Sequence, residues 1–352
     1  MGRVMARKTF LSLSARGGRI RTHLARYARS TGRVVRLALV ACIFVPVLLG
    51  GTAGATTPSA PTWAPSSPIK PPSARASASM ADDPATGQLI LFGGATGSSS
   101  SANDTWEWSG GEWTELSPAV SPPARAGASM AYDPSTQQLL LFGGATAPAT
   151  NVNNTWEWTG TTWLHLKPTT APPAAFDSTM AFDSATDQLV LFEDLCTRNV
   201  TWEWTGSNWV NLHPATSPGD RCGASMAYDN ATSQLLLFGG QSGTTYHNDT
   251  WEWTGTTWSR LKPAASPADL GYTSLAYNPS AGQLVLFGGY NGAVATNKTW
   301  TWTGSTWTKD KVSASPSIRF FAPMAFDPSS GRLLLFGGYD GTNDLGDTWS
   351  FG

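Results

Sequence analysis

Four arginine residues stand at one point of an internal repeat, each five residues before a recurring methionine or its equivalent. They are Arg75, Arg125, Arg221 and Arg319. A guanidinium group can hold a carboxylate through two parallel hydrogen bonds, so a ring of four such groups would suit an anionic ligand. Alternatively, each arginine caps a loop or pairs with a neighbouring acid such as Asp194. The residue types alone leave both interpretations open.

Recurring glutamates in the motif Thr-Trp-Glu-Trp raise the possibility of glycoside hydrolysis. They are Glu107, Glu157, Glu203 and Glu252. A glycosidase needs two carboxyl groups about 5 Å apart for retention, or up to about 9.5 Å apart for inversion. Each glutamate falls on the third strand of its repeat, about 10 Å outside the innermost strand. Glutamates on neighbouring repeats are therefore too far apart, and we predict a structural role for them.

Metal-dependent chemistry would require ligands that converge on one point. Beyond the N-terminal segment the histidines are His165, His213 and His247, which occupy different positions in their repeats. Nothing in this spacing brings them together as metal ligands. We therefore predict no metal, no cofactor and no catalytic residue.

An internal repeat positions all of these side chains. The motif around Met130 has counterparts centred on Met80, Met180, Met226, Leu275 and Met324, at spacings of 50, 50, 46, 49 and 49 residues along the chain. Such periods are typical of propeller blades. The composition agrees, because 36 Gly, 24 Pro and 17 Trp with only 13% charged residues suit short strands and many turns.

Each unit is predicted to form four strands. The first ends in a turn such as Asp133-Pro134, in which proline fixes φ and aspartate accepts a local hydrogen bond. The second, for example residues 139–142, is apolar without alternation and should be buried on both faces. A glycine pair follows it, then the Thr-Trp-Glu-Trp strand, and a fourth strand that begins at a further tryptophan.

This pattern resembles the kelch repeat, in which a Gly-Gly pair is followed by two aromatic residues with six residues between them. The pairs here are Trp106 and Trp113, Trp156 and Trp163, Trp202 and Trp209, Trp251 and Trp258, and Trp300 and Trp307. The third unit departs from the pattern, with Glu193-Asp194 in place of the glycine pair. Over residues 62–352 the resemblance implies an all-β fold, a six-bladed β-propeller of four-stranded blades similar to the central domain of galactose oxidase. The converging copper ligands of that enzyme are not found here.

The two ends of the repeat region indicate how the ring closes. The sixth unit stops after its third strand at residues 348–352, and Trp63 precedes Arg75 by the same 12 residues that separate Trp113 from Arg125. The segment around Trp63 is therefore predicted to supply the missing fourth strand of the last blade. Pairing there would remove two exposed sheet edges.

The N-terminal segment is typical of export. Residues 1–36 carry nine Arg, one Lys and no acid, residues 37–49 are apolar, and Ala53-Gly54-Ala55 offers a cleavage site. We predict a signal peptide over residues 1–55, a Thr/Pro/Ser-rich linker over 56–61, and a secreted or extracellular domain. An uncleaved anchor and lipidation at Cys42 are the alternatives. The remaining chain sums to −11, which argues against nucleic acid.

Cys196 and Cys222 are the two cysteines outside the signal segment, and an even pair in an exported chain suggests a disulfide. Cys196 falls in a loop after a second strand, and Cys222 falls in a loop before the next first strand. Both kinds of loop emerge on the same face of an up-and-down blade. We therefore predict a bond between them, and we hypothesise that it compensates for the missing glycine pair of the third unit.

The kelch resemblance also implies a binding face. In that family the arginine before the first strand often points toward the mouth of the central channel. Aromatic and polar residues expected on the same face are Phe176, Asp177, Tyr246, His247, Tyr272, Tyr290, Asn291, Phe320, Tyr339, Asp340 and Asn343. We expect a monomeric, non-catalytic recognition module for an anionic glycan or acidic protein segment, which contacts a membrane only through an uncleaved signal. The alternative is an extracellular enzyme on this scaffold, such as an oxidase, lyase or sugar isomerase.

Overall fold

The computed structural model describes residues 61–146, 150–194, 196 and 198–352. The chain divides into two units, Met1–Thr56 and Thr57–Gly352. The first unit lies outside the described residues, as do the predicted signal peptide (1–55) and all but the last residue of the predicted linker (56–61). Within the described part of the chain, no helix is long and apolar enough to cross a lipid bilayer.

Six four-stranded antiparallel sheets form the blades of a propeller, and the first strands of neighbouring blades contact one another around the ring. The first three blades are β2(Ser79–Asp83), β3(Gln88–Phe92), β4(Thr105–Ser109), β5(Glu112–Leu116); β6(Ser129–Asp133), β7(Gln138–Phe142), β10(Thr155–Trp158), β11(Trp163–Leu166); and β12(Thr179–Asp183), β13(Gln188–Asp194), β14(Asn199–Trp204), β15(Trp209–Asn211). The others are β16(Ser225–Asp229), β17(Gln234–Phe238), β20(Thr250–Trp253), β21(Trp258–Arg260); β22(Ser274–Asn278), β23(Gln283–Phe287), β24(Thr299–Trp302), β25(Trp307–Lys309); and β26(Met324–Asp327), β27(Arg332–Phe336), β28(Thr348–Phe351), β1(Trp63–Ser66). Two-stranded ribbons extend the second and fourth blades, β8(Ala145–Thr146) with β9(Thr150–Asn151) and β18(Gln241–Ser242) with β19(Thr245–Tyr246). The predicted six-bladed all-β fold is confirmed.

Ring closure follows the sequence prediction. Strand β1 pairs antiparallel with β28, with Trp63 opposite Phe351 and Ser66 opposite Thr348. The last blade therefore takes its fourth strand from the N-terminal end of the described chain. The pairing removes the exposed strand edge that each of the two segments would otherwise have.

The second strand of each blade is the core of the fold. Leu139, Leu140, Leu141 and Phe142 of β7 are all at most 1% exposed. Alternate side chains of such a strand enter the clusters on its two sides, which is why the sequence shows no polar alternation. The turn that precedes the strand is held as predicted, because the Asp133 carboxylate accepts the N–H of Ser135 at 2.9 Å.

Six equivalent tryptophan side chains join neighbouring blades on their outer side through hydrogen bonds. The indole N–H of each fourth-strand tryptophan donates to the hydroxyl of the threonine that opens the third strand of the preceding blade, at 2.9–3.0 Å. The pairs are Trp63 with Thr299, Trp113 with Thr348, Trp163 with Thr105, Trp209 with Thr155, Trp258 with Thr201, and Trp307 with Thr250. All six junctions are joined in this way, and Trp63 completes the set.

Three of the four recurring glutamates have a structural role. The Glu157 carboxylate accepts the side-chain N–H of Gln138 at 3.1 Å, and the Gln138 carbonyl accepts the indole N–H of Trp204 from the next blade at 2.9 Å. Glu107 and Glu203 orient Gln88 and Gln188 in the same way. These carboxylates therefore fix glutamine amides between blades, at positions remote from the channel.

Candidate functional site

The four predicted arginines are buried, and internal groups use their donors. Each is at most 2% exposed. Each Nη1 donates to the carbonyl of the first residue of its own glycine pair at 2.8–2.9 Å. Each also contacts a side chain just before the third strand, at distances of 2.6–2.8 Å: Arg75 contacts Asp104, Arg125 contacts Asn154, Arg221 contacts Asp249, and Arg319 contacts Asp347. This is the loop-capping arrangement that the sequence left open, and no guanidinium group of the set extends from the loop face.

Electrostatics distinguish the Arg125 site from the other three. Burial alone would raise the pKa of Asp249, but hydrogen bonds and charge from Arg221, with the Trp251 indole, outweigh it and lower this pKa. Arg125 instead meets the neutral amide of Asn154, and burial lowers its pKa to about 10. Its Nη2 and the indole nitrogen of Trp156 are buried without a hydrogen-bond partner.

Replacing Asn154 by aspartate is expected to stabilise the protein. In blades 1 and 4 the second carboxylate oxygen accepts both the arginine Nη2 and the following indole N–H, as Asp249 does for Arg221 and Trp251. Asn154→Asp should therefore satisfy two buried donors, and we expect a gain of about 1–2 kcal/mol, or a melting temperature about 4 °C higher. Thermal unfolding of this variant beside Asn151→Asp, which adds the same charge at an exposed position of β9, provides the measurement. An unchanged or lower melting temperature for Asn154→Asp would contradict the argument.

Glycine pairs allow the blades to approach closely at the loop face. Gly93 has a φ of +64°, and a Cβ atom placed on it would lie 2.7 Å from the Arg125 carbonyl oxygen. The second glycine donates its N–H to that same carbonyl, as Gly94 does to Arg125 at 2.9 Å. Equivalent bonds run from Gly144, Gly240, Gly289 and Gly338, so five of the six junctions have one.

The remaining junction, between blades 3 and 4, carries the disulfide. Cys196 and Cys222 are bonded, with their Cα atoms 4.7 Å apart, which confirms the predicted pair. Here Glu193 replaces the first glycine; its side chain is buried and accepts the Trp202 indole N–H at 2.9 Å. Burial raises the pKa of Glu193, and the hydrogen bond from Trp202 and the Arg198 charge oppose this. The covalent bond thus joins the two blades where the glycine pair is missing.

Residues at one repeated position surround the mouth of the channel; we call this set the mouth ring. Its members are Ser77, Gly127, Asp177, Gly223, Tyr272 and Phe321, and all have a positive φ of 52–64°. Their backbones are joined across blades at 2.7–3.1 Å, from Gly127 to Ser77, Asp177 to Gly127, Tyr272 to Gly223, Phe321 to Tyr272 and Ser77 to Phe321. A left-handed backbone at six equivalent positions places five different residue types at the rim of one opening.

Beneath the mouth ring lies a cavity of about 240 Å³ along the propeller axis, walled by the first strands of all six blades. Serine hydroxyls in its wall also link the blades. Those of Ser79, Ser225 and Ser274 donate to backbone carbonyls of the following blade at 2.6 Å, and Ser129 donates to the Ser178 carbonyl. The oxygen of a hydroxyl that donates its proton can still accept a hydrogen bond.

A group of aromatic rings from blades 4, 5 and 6 lies beside the mouth ring; we call it the aromatic crescent. It consists of Phe320, which is 9% exposed, and the half-buried Tyr246, Tyr290 and Tyr339. Tyr290 stacks on Phe320 with ring centroids 4.9 Å apart, and Tyr339 meets Phe320 edge-on at 5.5 Å. Tyr246 meets Tyr290 edge-on at 5.8 Å. The structure therefore brings four of the sequence-predicted residues into one surface.

The other predicted residues lie around these two groups. Asp340 accepts the backbone N–H groups of Thr342 and Asn343 at 2.7 Å, which lowers the pKa of Asp340, and Asn291 makes the same turn in blade 5. His247 is half-buried, and burial together with the charge of Arg221 lowers its pKa. Phe176 lies over Gly127, across the mouth from the crescent. The sequence analysis did not predict Ser77 and Phe321 as site residues, although Phe321 directly follows the predicted Phe320. Ser77 and Phe321 occupy the same position of the repeat as Asp177 and Tyr272, and this was the signal that could have identified them.

No known protein-family profile and no curated protein matches this sequence.

The loop face therefore has to be interpreted from its own chemistry. Among the described residues, no three His, Cys, Asp or Glu side chains are grouped closely enough to hold a metal ion. The chemical groups described above are aromatic rings, hydroxyls, turn-forming side chains, the His247 imidazole and the Asp177 and Asp340 carboxyl groups. Such surfaces bind ligands through stacking and a few directed hydrogen bonds.

Proposed function

We propose that this protein is an exported, non-catalytic recognition module, a propeller of the kelch type that binds a neutral glycan on the aromatic crescent. The observation that carries the proposal is the crescent itself, in which the half-buried Tyr290 and Tyr339 contact Phe320 and the half-buried Tyr246 contacts Tyr290. A tyrosine offers an apolar face for the C–H side of a sugar and a hydroxyl for its polar edge. The Cys196–Cys222 bond and the N-terminal export pattern support an oxidising, extracellular setting.

Charge favours a neutral ligand over the anionic one expected from the sequence. That expectation relied on the four arginines, whose guanidinium groups bind internal acceptors. Residues 37–352 also carry 13 basic against 24 acidic side chains. An anionic glycan or acidic peptide would thus meet overall repulsion and no guanidinium of this set at the face.

Binding of the purified protein to an array of neutral glycans, anionic glycans and acidic peptides tests the proposal. We expect neutral glycans to bind, and we expect Tyr290→Ala and Tyr246→Ala to weaken that binding about tenfold, since one aromatic contact is worth about 1.4 kcal/mol. Tyr132→Ala is the matched control, because Tyr132 is a half-buried tyrosine at the turn end of β6, away from the loop face. A preference for anionic ligands, or equal losses in all three variants, would overturn the proposal.

A further inference from the structure

The carboxyl group of Asp177 has no obvious structural purpose. Asp177 is a member of the mouth ring and lines the central cavity, at a position that glycine or serine occupies in three other blades. A Cβ atom placed on Gly127 would lie 2.6 Å from Asp177 Oδ1, so this side chain lies over the glycine of the neighbouring blade. No hydrogen bond from another described residue reaches its carboxyl oxygens.

The surroundings of this carboxyl group are rich in acceptors and lack cations. Of the described residues that line the cavity, Asp177 is the one with a carboxyl group, and none is Lys, Arg or His. The serine hydroxyls of the wall donate their protons to backbone carbonyls, so their oxygens present lone pairs. Burial, without a compensating charge, raises the pKa of Asp177 well above its ordinary value. The cavity therefore lacks a positively charged hydrogen-bond donor.

Aromatic rings complete the site at its rim. Tyr272 and Phe321 both line the cavity, and their ring centroids are 4.4 Å apart. Aromatic faces attract ammonium groups, whereas a hard metal ion needs about six or more oxygen ligands and gains little from them. One carboxylate, hydroxyl oxygens and two rings thus fit an ammonium group better than a metal ion.

We propose that the central cavity binds a small ligand through a primary ammonium group, which pairs with the Asp177 carboxylate and lies against Tyr272 and Phe321. This site adjoins the aromatic crescent, because the rings of Phe321 and Tyr272 lie 5.1 and 6.4 Å from the ring of Phe320. It depends on the Asp177 carboxylate and does not require glycan binding to the crescent. The ammonium group belongs either to an amino sugar or to a lysine side chain, and both present the same chemistry to the cavity.

Calorimetric titration of the full chain with glucosamine and with Nα-acetyl-lysinamide tests the proposal, with N-acetylglucosamine as the ligand that lacks the charge. We expect at least one amine to bind, the neutral sugar to bind at least about tenfold more weakly, and Asp177→Asn to lose about tenfold or more in amine affinity. Asp82→Asn is the matched control, because Asp82 is another partly buried carboxyl group, with a pKa raised to about 6, outside the cavity. The amine that binds identifies the source of the ammonium group.

Proton linkage in the unaltered protein gives a second measurement that requires no variant to fold. Pairing with an ammonium group favours the ionised form of the Asp177 carboxyl group, whose pKa burial raises. Binding should therefore release protons, and affinity for Nα-acetyl-lysinamide should fall as the pH is lowered. Tyr272 carries the other ionisable side chain among the described residues that line the cavity. Failure of both amines to bind, equal affinity for N-acetylglucosamine, or unchanged binding by Asp177→Asn would each overturn the proposal.

Discussion

Replacing Trp63 by alanine is expected to lower the free energy of unfolding by about 4 kcal/mol, the usual scale for deleting a fully buried indole. Trp63 is 1% exposed, and its ring lies 4.7 Å from that of Phe287 and 5.0 Å from that of Phe351. Its N–H donates to Thr299 of blade 5 at 2.9 Å. The substitution therefore opens a cavity between the last two blades and leaves the closing strand poorly anchored.

Trp163→Ala is the matched control for this prediction. Trp163 occupies the same repeat position in blade 2, is also 1% exposed, and donates to Thr105. Denaturant unfolding should give similar losses for the two alanine variants, and Trp63→Phe should lose only about 1 kcal/mol with the hydrogen bond. Deletion of residues 56–66 should abolish cooperative unfolding. A large loss for Trp163→Ala beside none for Trp63→Ala would show that the N-terminal strand does not close the ring.

Removing the disulfide is expected to cost about 3 kcal/mol, the scale for a closed loop of this length. Cys196 and Cys222 are 26 residues apart and join blades 3 and 4. Among the described residues, glycine-pair bonds hold five of the six junctions and mouth-ring bonds likewise hold five, and the exception in both cases is this junction. On its outer side Trp258 and Trp253 still donate to Thr201 and Gln188. The loss should therefore open the channel side of the junction while its outer side holds.

Hydrogen exchange of the variant with serine at both positions 196 and 222 measures this local opening. We expect faster exchange in residues 221–225, next to the junction, and unchanged exchange in the corresponding residues 125–129 of blade 2. The unaltered protein treated with a reductant should behave like the variant. Equal protection of both segments, together with an unchanged melting temperature, would show that the bond is dispensable.

Repetition explains which features the sequence could predict. Glycine pairs, Asp-Pro turns and tryptophan spacings recur, so the strand assignment of one unit could be checked against the others. The same comparison predicted that the segment around Trp63 supplies the fourth strand of the last blade, and β1 does so. Arginine orientation could not be derived in the same way, because a long side chain reaches either the solvent or its own loop. The acids at 104, 249 and 347 were a usable signal, since each lies two residues before a recurring tryptophan.

The mouth ring was hidden for the opposite reason. Its six members share a backbone conformation but not a residue type, because Ser77, Asp177 and Tyr272 adopt a left-handed φ that sequence patterns assign mostly to glycine. Phe321 was not predicted as a site residue because the adjacent Phe320 had already been chosen as the aromatic residue at this point of the repeat. The cavity and the isolated carboxyl group follow from where these backbones direct their side chains, which requires the assembled ring.

The pairing of β1 with β28 joins two segments of the chain that are synthesised at different times. Residues 63–66 are made among the first of the propeller, and their partners at 348–351 are made last. At synthesis rates of about 5–20 residues per second, the first segment waits roughly 15–60 s for its partner. During that interval Trp63 has no native neighbour in blade 6, and the nascent blades have open edges. The ring therefore cannot close before residues 348–351 have been synthesised.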